Sequence, residues 1–130
     1  MKSQRLPDAE FDIMELIWDS APPVTTAMAW EAIGRERGVK IQTIVTLFGR
    51  LVDRGFLRFE RGKGREREFY PLISREEYLQ METENFVSHY HKRSYASLLN
   101  ALHRERLSND DLDELAQWIK EARNDRDQEG

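Results

Sequence analysis

The chain has 130 residues and contains no cysteine. This absence excludes a disulfide scaffold, an iron–sulfur cluster, a thiolate zinc site and a cysteine nucleophile, and it is typical of the reducing cytoplasm. Apolar runs extend for only a few residues, far short of the roughly 20 that span a bilayer. The first residues lead into an acidic segment and lack the apolar core of a signal peptide. We therefore expect a cytoplasmic protein with no membrane partner.

The excess of one charge is also small, since 24 Asp+Glu stand against 20 Lys+Arg and the formal net charge is −4. The distribution is uneven, however. Residues 1–73 carry 12 basic and 11 acidic side chains, whereas residues 74–130 carry 8 and 13. Between Arg35 and Arg67, ten basic residues stand against four acidic ones. A basic segment joined to an acidic half suggests a nucleic-acid-binding face and a separate solvated module.

Apolar residues at helical spacing predict three helices in the first half of the chain. They are expected over residues 8–19, from Thr25 or Thr26 to residue 36 or 37, and over residues 41–54. Gly38 and Gly55 suit the ends of the second and third helices. The third helix has the clearest apolar stripe, which consists of Ile44, Leu47, Phe48, Leu51 and Val52.

After Gly55 the apolar period changes from that of a helix to that of a strand. Leu57, Phe59 and residues 66–70 alternate across a turn at residues 62–65, which predicts a β-hairpin with a basic tip. Gly62 and Gly64 are expected to supply the positive φ angles of that turn. Three helices followed by a hairpin describe a winged helix. The predicted class is mainly α with a small β-hairpin, and residues 1–73 form the DNA-binding domain.

The remainder of the chain is predicted to be helical, over about residues 75–91, 94–103 and 109–122. Capping boxes at Ser74–Glu77 and Ser108–Asp111 mark two of the starts. We expect residues 74–124 to form a helical dimerisation domain and residues 125–130 to be a disordered tail.

The third helix and the hairpin together suit double-stranded DNA. A helix enters the major groove, where Gln and Arg bind base edges and Thr contacts a thymine methyl group. Basic residues on a wing follow the phosphate backbone or enter the minor groove. The alternative is an ordinary solvated surface, or a winged helix that docks a protein. The predicted DNA contacts are Lys40, Gln42, Thr43, Thr46, Arg50, Arg61, Lys63, Arg65 and Arg67.

The C-terminal helices are short and amphipathic, and about 55 residues bury little surface alone. We therefore expect them to pair with a second copy of the chain. The alternative is a bundle that folds back on the N-terminal domain. A further alternative is an effector pocket that includes Phe86, Tyr90 and Tyr95. The predicted dimer contacts are Leu79, Phe86, Tyr90, Leu98, Leu99, Leu102, Leu112, Leu115 and Ile119.

Four segments resemble the penicillinase-repressor family, which includes the methicillin-resistance and copper-operon repressors. The similarity extends over about residues 5–123, and the segments that carry it are residues 6–18, 43–57, 67–72 and 107–115. The resemblance implies a homodimeric winged-helix repressor that binds an inverted-repeat operator. It places the operator contacts on the third helix, where Thr43, Thr46 and Arg50 match the family pattern. Val45, Gly49 and Asp53 depart from that pattern, which bears on the operator sequence.

The resemblance also implies a mode of induction. In the β-lactam branch of the family, a signal from a membrane-linked metalloprotease ends repression by cleavage in the dimerisation region. The matching bond here joins Asn100 to Ala101. Thiolate metal sensing, as in the copper branch, is excluded because the chain has no cysteine.

Nothing in the sequence indicates an enzyme, a cofactor or a metal site. His89 and His91 are two residues apart and face different directions on a helix, and His103 stands alone. The acids at residues 110–114 suit the positive end of a helix dipole. No Walker loop, His-Glu-x-x-His or Gly-x-Ser-x-Gly motif is present.

Overall fold

A computed structural model describes residues 5–129 of the chain. The N-terminal half contains three helical segments followed by two strands, as the sequence predicted. Their order and the antiparallel hairpin confirm the mainly α class and the winged-helix arrangement. The bounds are α1 Asp8–Asp19, α2 Thr26–Ala29, α3 Ile41–Asp53, β1 Leu57–Arg61 and β2 Arg67–Pro71.

The second helix begins where it was predicted but has a different geometry. Thr25 Oγ1 accepts a hydrogen bond from the Met28 N–H at 3.1 Å, which confirms the N-cap. After Ala29 the chain forms a π-helical turn over Trp30–Gly34 rather than a continuous α-helix. The indole Nε1 of Trp30 donates to the Val39 carbonyl at 2.8 Å, and a Cβ on Gly34 would lie 2.7 Å from Trp30 Cδ1. The indole thus packs against the end of its own helix and widens the last turn.

Gly55 follows the end of α3 as predicted, whereas the second helical segment ends at Gly34, short of the predicted residue 36 or 37, and Gly38 is the last residue of the turn that follows it. Gly38 has φ 68° and Gly55 has φ 84°. The hairpin turn differs from its prediction, because the positive φ of 68° belongs to Arg65 and not to Gly62 or Gly64. Gly62 instead donates its N–H to the Glu66 carbonyl at 2.8 Å and accepts from Arg65 N–H at 3.0 Å. These two hydrogen bonds close the turn at residues 62–65. Arg65, which has the left-handed backbone conformation, is the last residue of that turn.

The hairpin is held in the core of the N-terminal half by its second strand. Leu57 pairs with Pro71, and Arg61 pairs with Arg67 at the other end of the ladder. Val24 adds an isolated antiparallel bridge to Phe69, through hydrogen bonds of 3.1 and 2.9 Å. The core of this half joins the apolar stripes of α1 and α3 to the hairpin. Its buried members include Ile13, Met14, Ile17, Ile44, Phe48, Leu51, Phe56, Leu57 and Phe69.

The C-terminal half is helical, in the order α4 Arg75–Tyr90, α5 Tyr95–Asn100, a 3-10 turn Arg104–Arg106 and α6 Asn109–Glu129. Both predicted capping boxes are present. Ser74 N–H donates to Glu77 Oε1 at 3.0 Å, and Glu77 N–H donates to Ser74 Oγ at 3.0 Å. The corresponding bonds between Ser108 and Asp111 measure 2.9 and 3.0 Å. The hydrogen bond from the Ser74 backbone lowers the pKa of Glu77.

Two helix ends differ from their predictions. Helix α5 ends at Asn100 rather than near residue 103, because residues 104–106 form a 3-10 turn. Helix α6 continues to Glu129, so residues 125–129 are helical where a disordered tail was predicted. The segment after Ala122 contains neither glycine nor proline before Gly130. Its Arg, Gln and Glu residues are good helix formers, and they allow the helix to continue.

The contacts divide the chain into two compact units, of which the first ends at Phe86 and the second begins at Val87. The division lies inside α4, because Tyr78 belongs to the core of the first unit. Its hydroxyl accepts a hydrogen bond from Leu6 N–H at 2.9 Å. The functional boundary between residues 73 and 74 stays a prediction. Within residues 5–129, no helix is both long and apolar enough to cross a membrane.

Candidate nucleic-acid interface

Helix α3 has one buried and one exposed face. Ile44, Phe48 and Leu51 are buried in the core of the first unit. The opposite face is exposed and carries every residue of α3 that the sequence predicted as a DNA contact. Lys40, at the N-cap, is exposed as well. The predicted contacts on this face are Gln42, Thr43, Thr46 and Arg50, and all four are exposed.

The hydroxyl of Thr46 donates a hydrogen bond to the Gln42 carbonyl at 3.0 Å, within the helix. This bond uses the only hydroxyl proton of Thr46. The side chain therefore offers oxygen lone pairs and a methyl group to an incoming base edge, rather than a donor. Arg50, one turn further along the helix, is exposed and lies in none of the salt bridges among residues 5–129.

The hairpin is fixed relative to α3 by an aromatic contact. The rings of Phe48 and Phe69 meet edge to face, with centroids 4.7 Å apart. At the tip, Arg61 Nη1 donates to the Arg65 carbonyl at 3.4 Å. The guanidinium of Arg67 lies 4.5 Å above the ring of Phe59. The four predicted wing residues, Arg61, Lys63, Arg65 and Arg67, are all exposed.

The ten basic residues between Arg35 and Arg67 separate into two groups. Four form salt bridges, which join Arg35 to Glu31, Arg37 to Asp12, Arg54 to Glu10 and Arg58 to Glu60. The other six are exposed and form no salt bridge with any residue of the range 5–129. These six are Lys40, Arg50, Arg61, Lys63, Arg65 and Arg67, and all of them are predicted DNA contacts.

A groove of about 570 Å³ lies between α3 and the hairpin. Its apolar lining includes Val45, Val52 and Phe59, and its charged lining includes Asp53 and Arg67. Sequence reasoning did not find this groove, because its walls come from segments that only the folded chain brings together. The sequence held one indication of it, because Val45, Gly49 and Asp53, at which α3 departs from the family pattern, all line this groove.

The second unit exposes many of its apolar side chains. Eight of the nine predicted dimer contacts are exposed and Leu98 is half-buried, and seven of the nine lie in the second unit, since Leu79 and Phe86 belong to the first. A groove of about 470 Å³ between α5 and α6 is lined by Tyr95, Leu98, Leu99, Glu114, Leu115 and Trp118. Tyr95 is the only residue of the predicted effector pocket in this lining, which contains neither Phe86 nor Tyr90.

The predicted cleavage bond lies at the end of α5. Asn100 is the last residue of the helix, Ala101 follows as its C-cap, and both are exposed. The Ala101 N–H donates to the carbonyls of Ser97 and Leu98 at 3.1 and 3.2 Å. This peptide bond is therefore accessible but still part of the last helical turn.

The histidines have partners other than a metal. His91 Nδ1 lies 2.9 Å from Ser97 Oγ, and His103 Nδ1 lies 3.4 Å from a carboxylate oxygen of Glu105. The ring of His89 meets that of Tyr90 edge to face at 4.7 Å. Over the part of the chain that the structure describes, no group of three His, Asp or Glu residues is arranged to hold a metal ion.

Comparison with known proteins agrees with this architecture. The sequence matches the family model of the penicillinase repressors over residues 6–121. The chain belongs to the penicillinase-repressor family. A penicillinase repressor of Bacillus licheniformis is 26% identical over 124 residues, which cover 95% of each chain. The chain is therefore a DNA-binding transcriptional repressor and not an enzyme.

Two solved structures align with most of this penicillinase-repressor chain. One is FabT of Streptococcus pneumoniae in complex with DNA, with 17% identity, a TM-score of 0.44 and coverage of 90% of this chain and 78% of that chain. The other is the transcriptional regulator SlyA, with 16% identity, a TM-score of 0.44 and coverage of 95% and 78%. The winged-helix assignment rests on the order of helices and strands in the structure.

The three departures from the penicillinase-repressor pattern lie together on α3. Val45, Gly49 and Asp53 follow one another at intervals of four residues, and all three are exposed. Residues four apart lie above one another on a helix, so the three positions form a single row. This row borders the groove between α3 and the hairpin.

Proposed function

We propose that this protein is a homodimeric repressor that recognises an inverted-repeat operator in double-stranded DNA. Helix α3 enters the major groove, where Gln42, Thr46 and Arg50 meet base edges. The basic hairpin lies along the adjacent phosphate backbone and the minor groove. The proposal requires no cofactor.

This proposal rests on the division of the basic residues into those that form salt bridges and those that do not. Arginines that form salt bridges have part of their charge neutralised within the protein. Those of α3 and the hairpin are exposed and form no salt bridge among residues 5–129. An array of exposed, unneutralised cations beside an exposed helix is what a nucleic-acid surface requires.

The exposed apolar side chains of the second unit support a homodimer. Leu99, Leu112, Trp118 and Ile119 are each between 45% and 68% exposed. Contiguous apolar surface of this kind is rarely left in water by a soluble protein and marks an interaction site. A homodimer would also supply the two copies of α3 that consecutive half-sites, about 34–36 Å apart, require.

Salt dependence of binding is the test of the proposed interface. Association with operator duplex should weaken as salt rises, and Arg65→Ala should reduce the slope by about 0.9 for each phosphate that the variant no longer neutralises. Arg37→Ala is the matched control, because it removes an equal charge that is already paired with Asp12. The control should leave the slope near that of the parent protein. A winged helix that docks a protein would bind no duplex at low salt, and that outcome would refute the proposal.

We further propose that a regulatory metalloprotease ends repression by cutting between Asn100 and Ala101. The position of this bond at an exposed helix end supports access by a protease. Mass spectrometry of the protein from β-lactam-treated cells should then detect an N-terminal fragment that ends at Asn100. Derepression with the chain intact would contradict this part of the proposal.

Binding of a small effector in the second unit is the second candidate. The groove between α5 and α6 favours it through its volume and the rings of Tyr95 and Trp118. A dimer interface and an effector pocket in this groove predict different results for Trp118→Ala. Loss of the dimer would indicate an interface, whereas a stable dimer that no longer responds to an effector would indicate a pocket.

A further inference from the structure

Gly49 lies in the middle of α3, and nothing within the described chain requires a glycine there. Its φ lies outside the left-handed range, in contrast to Gly38 and Gly55. A Cβ on Gly49 would meet no atom of residues 5–129 within 4 Å, whereas a Cβ on Gly34 would meet Trp30 at 2.7 Å. A glycine inside a helix is unfavourable relative to alanine. The bare backbone at Gly49 therefore leaves room for a group from outside the chain.

The surface around Gly49 has apolar side chains on the side of the hairpin, beside the charged residues Asp53, Glu66 and Arg67 of the same groove. Val45, one turn earlier on the same face, is 49% exposed. Both residues border the groove whose apolar lining continues to Val52 and Phe59. A shallow notch thus runs across α3, with the isopropyl group of Val45 as one wall and the Gly49 backbone as its floor. We call this surface the Val45–Gly49 notch.

The charged side chains near the notch have both signs, because Asp53 and Glu66 line the groove together with Arg67. Arg50 follows Gly49 directly on α3, and Arg67 lies across the groove. Both are exposed cations without a salt bridge among residues 5–129. If α3 lies in the major groove, as proposed above, the notch on its exposed face is turned toward base edges. The apolar group that a base presents in the major groove is the 5-methyl of thymine.

We propose that the Val45–Gly49 notch binds the 5-methyl group of one thymine in each operator half-site. Glycine allows the base edge to approach the helix backbone, and Val45 covers the methyl group. This inference rests on the proposed placement of α3 in the major groove. It adds the requirement for one thymine in each half-site to that proposal. The residues that would contact this thymine, Val45 and Gly49, are two of those at which the sequence departs from the family pattern.

Replacement of thymine by deoxyuridine isolates the methyl group, because nothing else on the base changes. Selection from random duplexes gives the half-site, and each thymine is then replaced in turn. At one position, the loss of affinity should be about fourfold per half-site, the value for removing one buried methyl or methylene group. Val45→Ala should make thymine and deoxyuridine equivalent at that position only. If the parent protein binds its operator tightly and no thymine shows this loss, the notch is refuted while the proposed function stands. If no duplex binds, the proposed function itself fails.

Gly49→Ala tests the same notch, because it should raise thermal stability and lower operator affinity. Alanine should raise the midpoint of thermal unfolding, because it favours the helix and meets no neighbour. Operator affinity should fall, because the added methyl occupies the space of the thymine methyl. The deoxyuridine operator, which leaves that space empty, should lose less affinity than the thymine operator. Equal operator affinity in the parent protein and the more stable variant would overturn the proposal.

Discussion

Replacement of Arg54 by methionine should destabilise the first unit much more than replacement of its ion-pair partner, Glu10, by glutamine. The two side chains join α1 to the end of α3, and Arg54 Nη1 lies 3.1 Å from Glu10 Oε1. The glutamate side chain is 2% exposed and the arginine side chain is 32% exposed. Glu10 Oε1 forms no aligned hydrogen bond despite the short distance. The contact is therefore a charge pairing, and the buried member depends on it.

The difference in exposure sets the magnitude of each change. Without Arg54, a carboxylate remains buried with no counter-charge, and removal of one partner of a buried pair costs about 3–5 kcal/mol. We expect the lower end of that range, because the pair lacks an aligned hydrogen bond. Without the charge of Glu10, Arg54 can turn toward water and no charge stays buried, so Glu10→Gln should cost about 1 kcal/mol, the low end of the penalty for a buried polar group without a partner. The gap between the two variants should be about 2 kcal/mol.

Urea unfolding followed by circular dichroism would measure both changes at neutral pH. The double variant Glu10→Leu/Arg54→Met is the control, because it removes both charges and should recover most of the stability that Arg54→Met forfeits. Equal costs for the two single variants would refute the reasoning, since the buried charge would then not decide the outcome. A double variant as unstable as Arg54→Met would locate the destabilisation in packing of the arginine stem instead.

Three further predictions concern the capping box, the reading helix and the dimer. Ser74 lowers the pKa of Glu77 below its ordinary value of 4.5, so the stabilisation from this carboxylate is present above pH 4.5 and is lost as pH falls through the folded-state pKa. Acid titration of Glu77→Gln should lack that loss of stability, and an unchanged titration would contradict it. Arg50→Ala should reduce discrimination between operator and mutated operator by about 1–3 kcal/mol in competition binding, and preserved discrimination would show that α3 is not the reader. Leu112→Lys should yield monomers in sedimentation experiments, and a persistent dimer would place the interface elsewhere.

The sequence predicted the helices and the hairpin because their signals are local. The apolar stripe of α3, the stop at Gly55, and the capping boxes each depend on residues within one or two turns of each other. The π-helical turn was not predictable in this way. It depends on how the Trp30 indole, the Val39 carbonyl and Gly34 fit together in three dimensions.

Long-range contacts also explain what the sequence did not reveal about the first unit. The pairing of Glu10 with Arg54 joins residues 44 positions apart. Tyr78 lies in α4, after the predicted domain boundary at residues 73 and 74, yet its hydroxyl accepts a hydrogen bond from the N–H of Leu6. Removal of α4 together with the second unit would therefore remove part of the first core, so point variants such as Leu112→Lys are the better test of the dimer. For the candidate interface, the sequence predicted which residues lie on the exposed face of α3 and on the hairpin. It did not predict which arginines form salt bridges, because their acidic partners include residues distant in the chain.

The pairing of the arginines explains how a chain of net charge −4 can present a basic face. Acids of α1 and β1, and one acid of the second helical segment, pair with the arginines between Arg35 and Arg75 that lie outside the proposed interface. Glu10, Asp12 and Glu15 of α1 pair with Arg54, Arg37 and Arg75. Six exposed cations of the first unit, all of them predicted DNA contacts, remain without a salt bridge among residues 5–129. Since non-specific affinity grows with the number of phosphates neutralised, this arrangement limits the attraction to arbitrary DNA. Base contacts from α3 must then supply more of the discrimination between the operator and other sequences.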